Sequence, residues 1–257
     1  MKGLYRLLNV EFAKWIVFIA ALCAASILLP LLLLHRMVRN YNEYAVHERF
    51  EELYASSGMP MLFLAILALA CVYFLVTIYA DYWGSKSIYT YLTLPVRRES
   101  LYFGKLIAFL ACLLLLWASH LIGIRLGYAL VAARIGGYAE GEFLMHNGYF
   151  LAMIRSDLFR LLLPLGFGRL LSTLGILFVV ATGFYYGALC ERSRKYFGFA
   201  ALAAAFWIAF DVVVYRLNES AHYFEPRSLY LSSGLLFATG GFFVWHSLRL
   251  IRRGAVA

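Results

Sequence analysis

Charged residues are scarce in this sequence, and their scarcity indicates its class. Only 14% of the 257 residues are Asp, Glu, Lys or Arg, whereas 63% are hydrophobic. Soluble domains carry roughly 25% charged residues, so this chain lacks the polar side chains that would cover a water-soluble globule. The composition therefore indicates an integral membrane protein.

The motifs of membrane-embedded enzymes are also missing. None of the six histidines stands in the H-E-x-x-H spacing of a zinc protease. The sequence Ser56-Ser57-Gly58 lacks the preceding glycine of an intramembrane serine protease, and Glu51-Glu52 lacks the arginine that a prenyl-protein peptidase places behind such a pair. We therefore expect no catalytic residues, no metal site and no enzyme activity on this chain.

Cysteine chemistry and nucleotide binding are equally unsupported. The cysteines have no C-x-x-C spacing and all fall within or at the end of apolar runs, so buried and unpaired side chains are expected at Cys23, Cys71, Cys112 and Cys190. Residues 84–87 and Gly104-Lys105 are fragments of G-x-x-x-x-G-K-[ST] without its full spacing. We expect no cofactor here, so a nucleotide-driven process would place ATP and Mg on a partner chain.

Long apolar runs are what the sequence has in abundance. Six of them approach the ~20 residues that cross a hydrocarbon core of roughly 30 Å. Helices are expected, because backbone polar groups in lipid must be satisfied within the segment, and the alternating pattern of a β-barrel is missing. The sequence predicts a single all-α transmembrane domain over residues 1–257, with spans at about 15–34, 61–80, 106–130, 170–189, 199–215 and 229–248.

Lysine and arginine are unevenly distributed between the two sides of these spans. If the N-terminus is cytoplasmic, the cytoplasmic segments hold thirteen basic and four acidic residues, whereas the other side holds nine of each. Cytoplasmic loops of membrane proteins carry the excess of Lys and Arg. We therefore predict cytoplasmic N- and C-termini. The net charge of +9 is assigned to topology and to contact with membrane lipid, not to nucleic acid.

Two segments outside the spans have amphipathic patterns. At the N-terminus an apolar stripe leads into the first span, with Arg6 facing away from it and Glu11 beside it without an obvious partner. This pattern predicts an interfacial helix. Between spans three and four, residues 149–165 show apolar side chains at helical spacing, ending at Pro164 and Gly166. That segment predicts an amphipathic helix in the outer interface, or a cap packed on the bundle.

A third segment outside the spans is polar and acidic. Residues 47–58, HERFEELYASSG, follow the first span. Helix-forming residues that lead to a glycine are typical of a short helix and its end. The sequence therefore predicts a short acidic helix that ends at Gly58.

Two charged residues and a histidine lie inside predicted spans. Arg125 and Asp211 each fall late in a span that runs outward, so we expect them at similar depth in the membrane. A lone charge there costs at least roughly 2.5–3.5 kcal/mol. An interhelical ion pair is therefore predicted, with a place in a substrate path as the alternative. His120 is interpreted as a helix-packing group, with a proton relay as its alternative.

Residues 81–105, between the second and third spans, contain the charged sequence LPVRRE at positions 94–99. Pro95 lacks an N–H and disfavours helical backbone at Leu94, so one continuous helix through both spans is not expected. Arg97 and Arg98 then lie near a helix start, where cations oppose the helix dipole. Their charges suit the binding of anionic lipid or of an acidic partner surface, with simple positive-inside anchoring as the alternative.

This segment resembles the first cytoplasmic loop of ABC-2-type transporter permeases. Bacterial members often show Leu-Pro, a small or apolar residue, Arg and, after six residues, Gly-Lys at the entry to the third helix. Residues 93–97 (TLPVR) and Gly104-Lys105 stand at those places, with Val96 where the family favours Ser. The chain length, the six spans and an acidic residue in the N-terminal segment, Glu11, extend the resemblance to the whole chain.

The resemblance implies the membrane-spanning permease subunit of an ABC transporter, an exporter in a bacterial plasma membrane. It implies a second copy of the chain or a similar permease, and separate ATPase subunits that dock on Leu94, Pro95, Arg97, Arg98 and Glu99. Two alternatives remain open: a non-transporting adaptor or immunity subunit for a peptide, and a proton-coupled secondary transporter. The aromatic content of 18% suits peptide, lipid and drug cargo alike.

The predicted topology can be tested by cysteine labelling of intact cells. Cysteines introduced at Ser57 and Glu140 should react with a membrane-impermeant thiol reagent, because both positions fall on the predicted outer side. A cysteine at Ser193 should react only after the cells are permeabilised. Labelling of the Ser193 position in intact cells would reverse the assignment.

Overall fold

The structure, a computed structural model, describes residues 2–39, 48–83, 98–136, 148–218 and 228–252. These residues form α-helices and no strands. The helices are α1 (Lys2–Val38), α2 (Phe50–Ser56), α3 (Met59–Trp83), α4 (Arg98–Ile135), α5 (Gly148–Arg155), α6 (Asp157–Leu162), α7 (Phe167–Arg192), α8 (Phe197–Leu217) and α9 (Leu229–Arg252). Six of them are long and apolar enough to cross a membrane, so the predicted all-α class with six spans is confirmed for the described residues.

The long helices contain the predicted spans and extend beyond most of them. Candidate spans cover Tyr5–Val38, Met59–Asp81, Glu99–Ile135, Phe167–Arg192, Phe197–Leu217 and Leu229–Arg252. α1 and α4 have 37 and 38 residues, or about 55 Å of helix at roughly 1.5 Å per residue. Hydropathy detects only the apolar part of such a helix, and intrahelical hydrogen bonds continue it through the polar turns at its ends.

The predicted N-terminal interfacial helix is not a separate element. α1 is continuous from Lys2 through the first span. Leu7, Glu11 and Trp15 lie one turn apart and are all buried, whereas Arg6 is exposed. This face packs against protein, so Glu11 does not face the lipid interface. The position of the first turns at the membrane surface stays a prediction.

The outer segment between spans three and four forms two short helices, where the sequence predicted one. α5 ends at Arg155, and Ser156 caps α6 by accepting a hydrogen bond from the Phe159 backbone N–H at 3.5 Å. Phe159 is buried, while Phe150 is exposed. The cap at Ser156 offers the backbone an alternative to one continuous helix, which apolar spacing alone does not reveal.

The chain packs as two compact units. Unit 1 comprises Met1–Ile16, Ala70–Leu113 and Pro164–Ala257. Its core contains stacked Phe74 and Phe109 rings, 3.9 Å between centroids, with Trp15 at 5.8 Å from Phe109. On α9, Gly240 lies under the ring of Phe178, which a Cβ at that position would overlap. The predicted single transmembrane domain stays a prediction.

Unit 2 comprises Val17–Leu69 and Leu114–Leu163. The large apolar side chains of its short helix α2 are buried. The helix ends near Gly58, whose backbone φ of +76° lies in the left-handed region. Tyr54 of α2 hydrogen-bonds Nε2 of His120 at 2.9 Å, and the His120 ring stacks on Phe63 at 3.8 Å. These contacts agree with the interpretation of His120 as a packing group. Another polar contact, between Ser26 and Ser119 at 2.7 Å, joins α1 to α4.

The four cysteines are free, and they differ in burial. Cys71, Cys112 and Cys190 are buried, as the sequence predicted, whereas Cys23 is half-buried. Their thiols therefore pack as small apolar groups within the helices that carry them.

The close approach of α1 and α4 in unit 2 depends on Gly123. A Cβ at this position would lie 2.9 Å from the Ser26 carbonyl oxygen and 3.3 Å from the Ile27 Cα. Because both are backbone atoms, Gly123→Ala should separate the helices and lower the free energy of unfolding by roughly 1–3 kcal/mol, as overpacking does. Gly241→Ala is the matched control, since a Cβ there meets nothing within 4 Å. Titration with a denaturing detergent, followed by circular dichroism, would measure both, and equal stabilities would contradict the prediction.

Candidate functional site

Four charged side chains meet where α3 ends and α4 begins. Asp81, in the last turn of α3, is ion-paired with Lys105, in the second turn of α4. Nζ of Lys14 lies 3.0 Å from Glu11 and 3.0 Å from Asp81, and Nζ of Lys105 lies 3.7 Å from Glu11. We call these four residues the ion cluster. Each carboxylate contacts both lysines, so the charges alternate around a closed ring.

Aromatic packing in unit 1 sets the position of the ion cluster. Glu11 precedes Trp15 by one helical turn, and Lys105 precedes Phe109 by one turn. The three rings of Trp15, Phe74 and Phe109 pack together, which fixes α1, α3 and α4 at this level. In addition, the Tyr73 hydroxyl donates a hydrogen bond to the Lys14 carbonyl oxygen at 3.0 Å. The charges therefore lie one to two turns beyond a rigid aromatic layer.

Burial makes the pairing in the ion cluster energetically necessary. The side chains of Glu11, Asp81 and Lys105 are only 8%, 6% and 8% exposed, while that of Lys14 is 31% exposed. An unpaired ion at such a depth costs several kcal/mol. Two carboxylates and two ammonium groups leave no net charge, so the ring as a whole tolerates burial. It is a structural lock that joins α1, α3 and α4.

The sequence indicates parts of the ion cluster but not the ring. It leaves Glu11 without an obvious partner, and Asp81 and Lys105 only bound the predicted loop. The four residues come from three helices, and the partners of Glu11 include one that is distant in the chain, Lys105. The one local signal is the helical spacing of Glu11 and Lys14, three residues apart. No pattern in the neighbouring sequence indicates that Asp81 and Lys105 belong to the ring.

The residues predicted to dock a partner lie beside the ion cluster in the sequence. Leu94, Pro95 and Arg97 fall outside the described residues. Arg98 begins α4, and Glu99 lies in its first turn, where a carboxylate favours the helix dipole. Glu99 accepts a hydrogen bond from Nε of Arg252, near the end of α9, at 2.7 Å. Since the Arg252 side chain is 68% exposed, this pair contributes at most about 1 kcal/mol.

The predicted ion pair between Arg125 and Asp211 stays a prediction. The Arg125 guanidinium lies 5.2 Å from the ring centroid of Tyr149 and 6.0 Å from that of Tyr128, within unit 2. Those distances fit cation–π attraction. Asp211 is half-buried on α8, in unit 1. Within the ranges that the structure describes, no group of three or more His, Cys, Asp or Glu side chains is arranged to hold a metal ion.

A comparison with protein families matches residues 7–163 to the model described as ABC-2 family transporter protein. The match covers more than half of the chain and includes all four residues of the ion cluster. Helices α7, α8 and α9 lie beyond it. Neither the curated proteins nor the solved structures gave a significant match.

The ion cluster generates a graded stability prediction. Lys105→Met should lower the free energy of unfolding by about 3–5 kcal/mol, because it leaves two buried carboxylates with one lysine between them. Lys14→Met should cost less, since the ammonium group of Lys14 is the more exposed and water compensates part of its charge. Thermal unfolding of the purified protein in detergent would give both values.

A double-mutant cycle distinguishes direct pairing from general damage. Asp81→Asn combined with Lys105→Met removes one charge of each sign, so the double variant should be more stable than the sum of the single effects predicts. The coupling free energy should exceed about 1 kcal/mol for side chains in contact. Strict additivity would show that the two side chains do not interact.

Proposed function

The chain belongs to the ABC-2 family of transporter proteins, and from that premise we propose that it is the permease subunit of an exporter, driven by a separate ATPase subunit. Membership of the family confirms the resemblance of the 81–105 segment to its permeases. It also makes the chain a multi-pass membrane component of an ABC transporter, in agreement with six helices long enough to span.

The observation that carries the proposal is the position of the ion cluster. Asp81 and Lys105 bound residues 81–105, the loop predicted to dock the ATPase, and their side chains are paired. Glu11 and Lys14 attach the same two residues to α1. The ends of the predicted docking loop are thus joined to each other and to a third helix.

Such a lock supports a mechanical role for the loop. If the ends of α3 and α4 were not joined, a force on the loop would bend the loop itself. The displacement would then not reach the helices. Because buried ion pairs join the two ends of the 81–105 segment, we propose that a displacement of this segment moves α1, α3 and α4 together. In the proposed mechanism, closure of the ATPase subunits displaces this loop, and the coupled helices change the access of the transport pathway from one side of the membrane to the other.

The charges of the loop supply the proposed contact with the ATPase. Arg97 and Arg98 give residues 94–99 a net positive charge even with Glu99 present. Complementary charges at an interface raise association rates and select the correct partner. We therefore propose that an acidic surface of the ATPase binds this segment. We also propose a second permease chain, identical or similar, and a location in the bacterial plasma membrane.

The two alternative functions make different demands. A proton-coupled transporter would need titratable groups along one path, and His120 is instead held by Tyr54 and stacked on Phe63. A peptide adaptor or immunity subunit would not couple to ATP hydrolysis. Stimulation of the partner's ATPase activity by the permease would therefore separate the exporter from the adaptor.

Charge reversal in the loop tests the docking proposal. Arg97→Glu with Arg98→Glu should abolish co-purification of the ATPase, because pairs that become desolvated at an interface contribute several kcal/mol to association. The permease itself should keep its elution volume and helicity, since the changes lie outside the predicted spans. The co-expressed proteins would be purified through a tag on the permease and quantified by immunoblotting.

A matched control keeps the net charge change the same. Lys2→Glu with Arg6→Glu reverses two basic residues on the same predicted side of the membrane and should retain the ATPase. Equal recovery of the ATPase with both double variants would leave residues 81–105 as a membrane turn without a docking role.

A further inference from the structure

Unit 1 contains an apolar groove between α7 and α8, completed by α3 and α9. Its volume is about 400 Å³, and thirteen of the fifteen residues that line it are apolar, including Leu75, Val180, Phe184, Leu202 and Ala209. Tyr79 and Glu191 are the remaining two, and the Tyr79 hydroxyl donates a hydrogen bond to the Glu191 carboxylate. We call this space the α7–α8 groove.

The groove has the length of one membrane leaflet. Its lining residues on α7 run from position 179 to 191, and those on α8 from 199 to 209. At roughly 1.5 Å per residue the α7 side is about 18 Å long. Half of the hydrocarbon core measures about 15 Å. The α7–α8 groove therefore matches an extended acyl chain of a single leaflet.

Positive charge is concentrated at one end of the groove. Residues 191–195 carry Glu191 followed by Arg192, Arg194 and Lys195, a net charge of +2. Arg194 and Lys195 are exposed. Arg194 has φ +51°, a left-handed backbone conformation that glycine adopts more readily. This conformation ends α7, since the Lys195 N–H donates a hydrogen bond to the Cys190 carbonyl oxygen at 3.0 Å.

Aromatic side chains place this end of the groove at the membrane surface. Tyr196 and Phe197 follow the basic residues and are 69% and 96% exposed. Amphipathic aromatic residues such as Tyr are enriched at the level of lipid headgroups. The basic end of the groove is thus at the depth where a phospholipid carries its phosphate.

We propose that the α7–α8 groove is a specific site for an anionic phospholipid of the membrane. One acyl chain lies in the groove, and Arg194 and Lys195 bind the phosphate. The apolar lining matches the chain, and the net positive charge at its end matches a headgroup with net negative charge. This inference is independent of the ATPase and of the direction of transport.

Native mass spectrometry of the full chain can test the site. The protein would be released from nanodiscs that contain equal parts of phosphatidylglycerol and phosphatidylcholine. The wild type should retain one phosphatidylglycerol per chain in preference to phosphatidylcholine. Arg194→Gln with Lys195→Gln should reduce the retained phosphatidylglycerol about 30-fold, given the contribution of each basic residue to binding at an anionic surface.

A second variant tests the acyl chain independently of charge. Ala209→Phe places a ring in the groove and should abolish retention of either lipid there. Ala204→Phe is the matched control, because Ala204 is exposed on the same helix and does not line the groove. Arg36→Gln with Arg39→Gln is the matched control for charge, since both side chains are exposed and neither lines the groove. Both controls should retain the lipid as the wild type does.

Several outcomes would overturn the proposal. Equal retention of the two lipids by the wild type would remove the charge selectivity. Unchanged lipid retention by Ala209→Phe, in protein shown to be folded by circular dichroism, would remove the groove. A change in oligomeric state in place of lipid loss would identify the groove as a contact between copies of the chain.

Discussion

The alternating ring of Glu11, Lys14, Asp81 and Lys105 is the constraint on which unit 1 depends. A buried ion is stable only beside an ion of opposite charge, because an unpaired buried ion costs several kcal/mol. The ring pairs all four charged side chains with one another. These pairs fix the relative positions of α1, α3 and α4. Apolar burial, such as that of Trp15 against Phe74 and Phe109, is non-directional. Ion pairs add contacts between specific atoms of the three helices.

The two units use polar groups in different ways. In unit 1 charged side chains join helices near the segment that links α3 to α4, and Glu99 meets Arg252 beside it. Unit 2 contains neutral contacts between helices, such as Tyr54 with His120 and Ser26 with Ser119. Neutral hydrogen bonds position side chains without the desolvation cost of ions. The ion pairs of the ring in unit 1 join three helices, whereas the ion pair of Arg160 with Asp157 in unit 2 lies within α6.

In the proposed mechanism, energy from the ATPase reaches the transport pathway as movement. Movement of that kind is transmitted by rigid parts of the structure. Buried ion pairs and stacked rings provide such parts in α1, α3 and α4. The α7–α8 groove, by contrast, is lined by small and apolar side chains and can hold a flexible ligand. The ion cluster thus joins α1, α3 and α4, whereas the groove lies between α7 and α8, and α3 contributes to both.

The sequence by itself determined the membrane class, the six spans and the family, because long apolar runs and the Leu-Pro-x-Arg pattern are local properties. It also indicated the short α2 and its end at Gly58. Only the tertiary structure decided that Glu11 meets Lys105, because the two are brought together from distant parts of the chain. The continuity of α1 and the break at Ser156 depend on local backbone contacts, which apolar spacing does not reveal. Hydrophobic periodicity specifies that a face is buried, whereas the identity of the group that meets it is set when the helices pack.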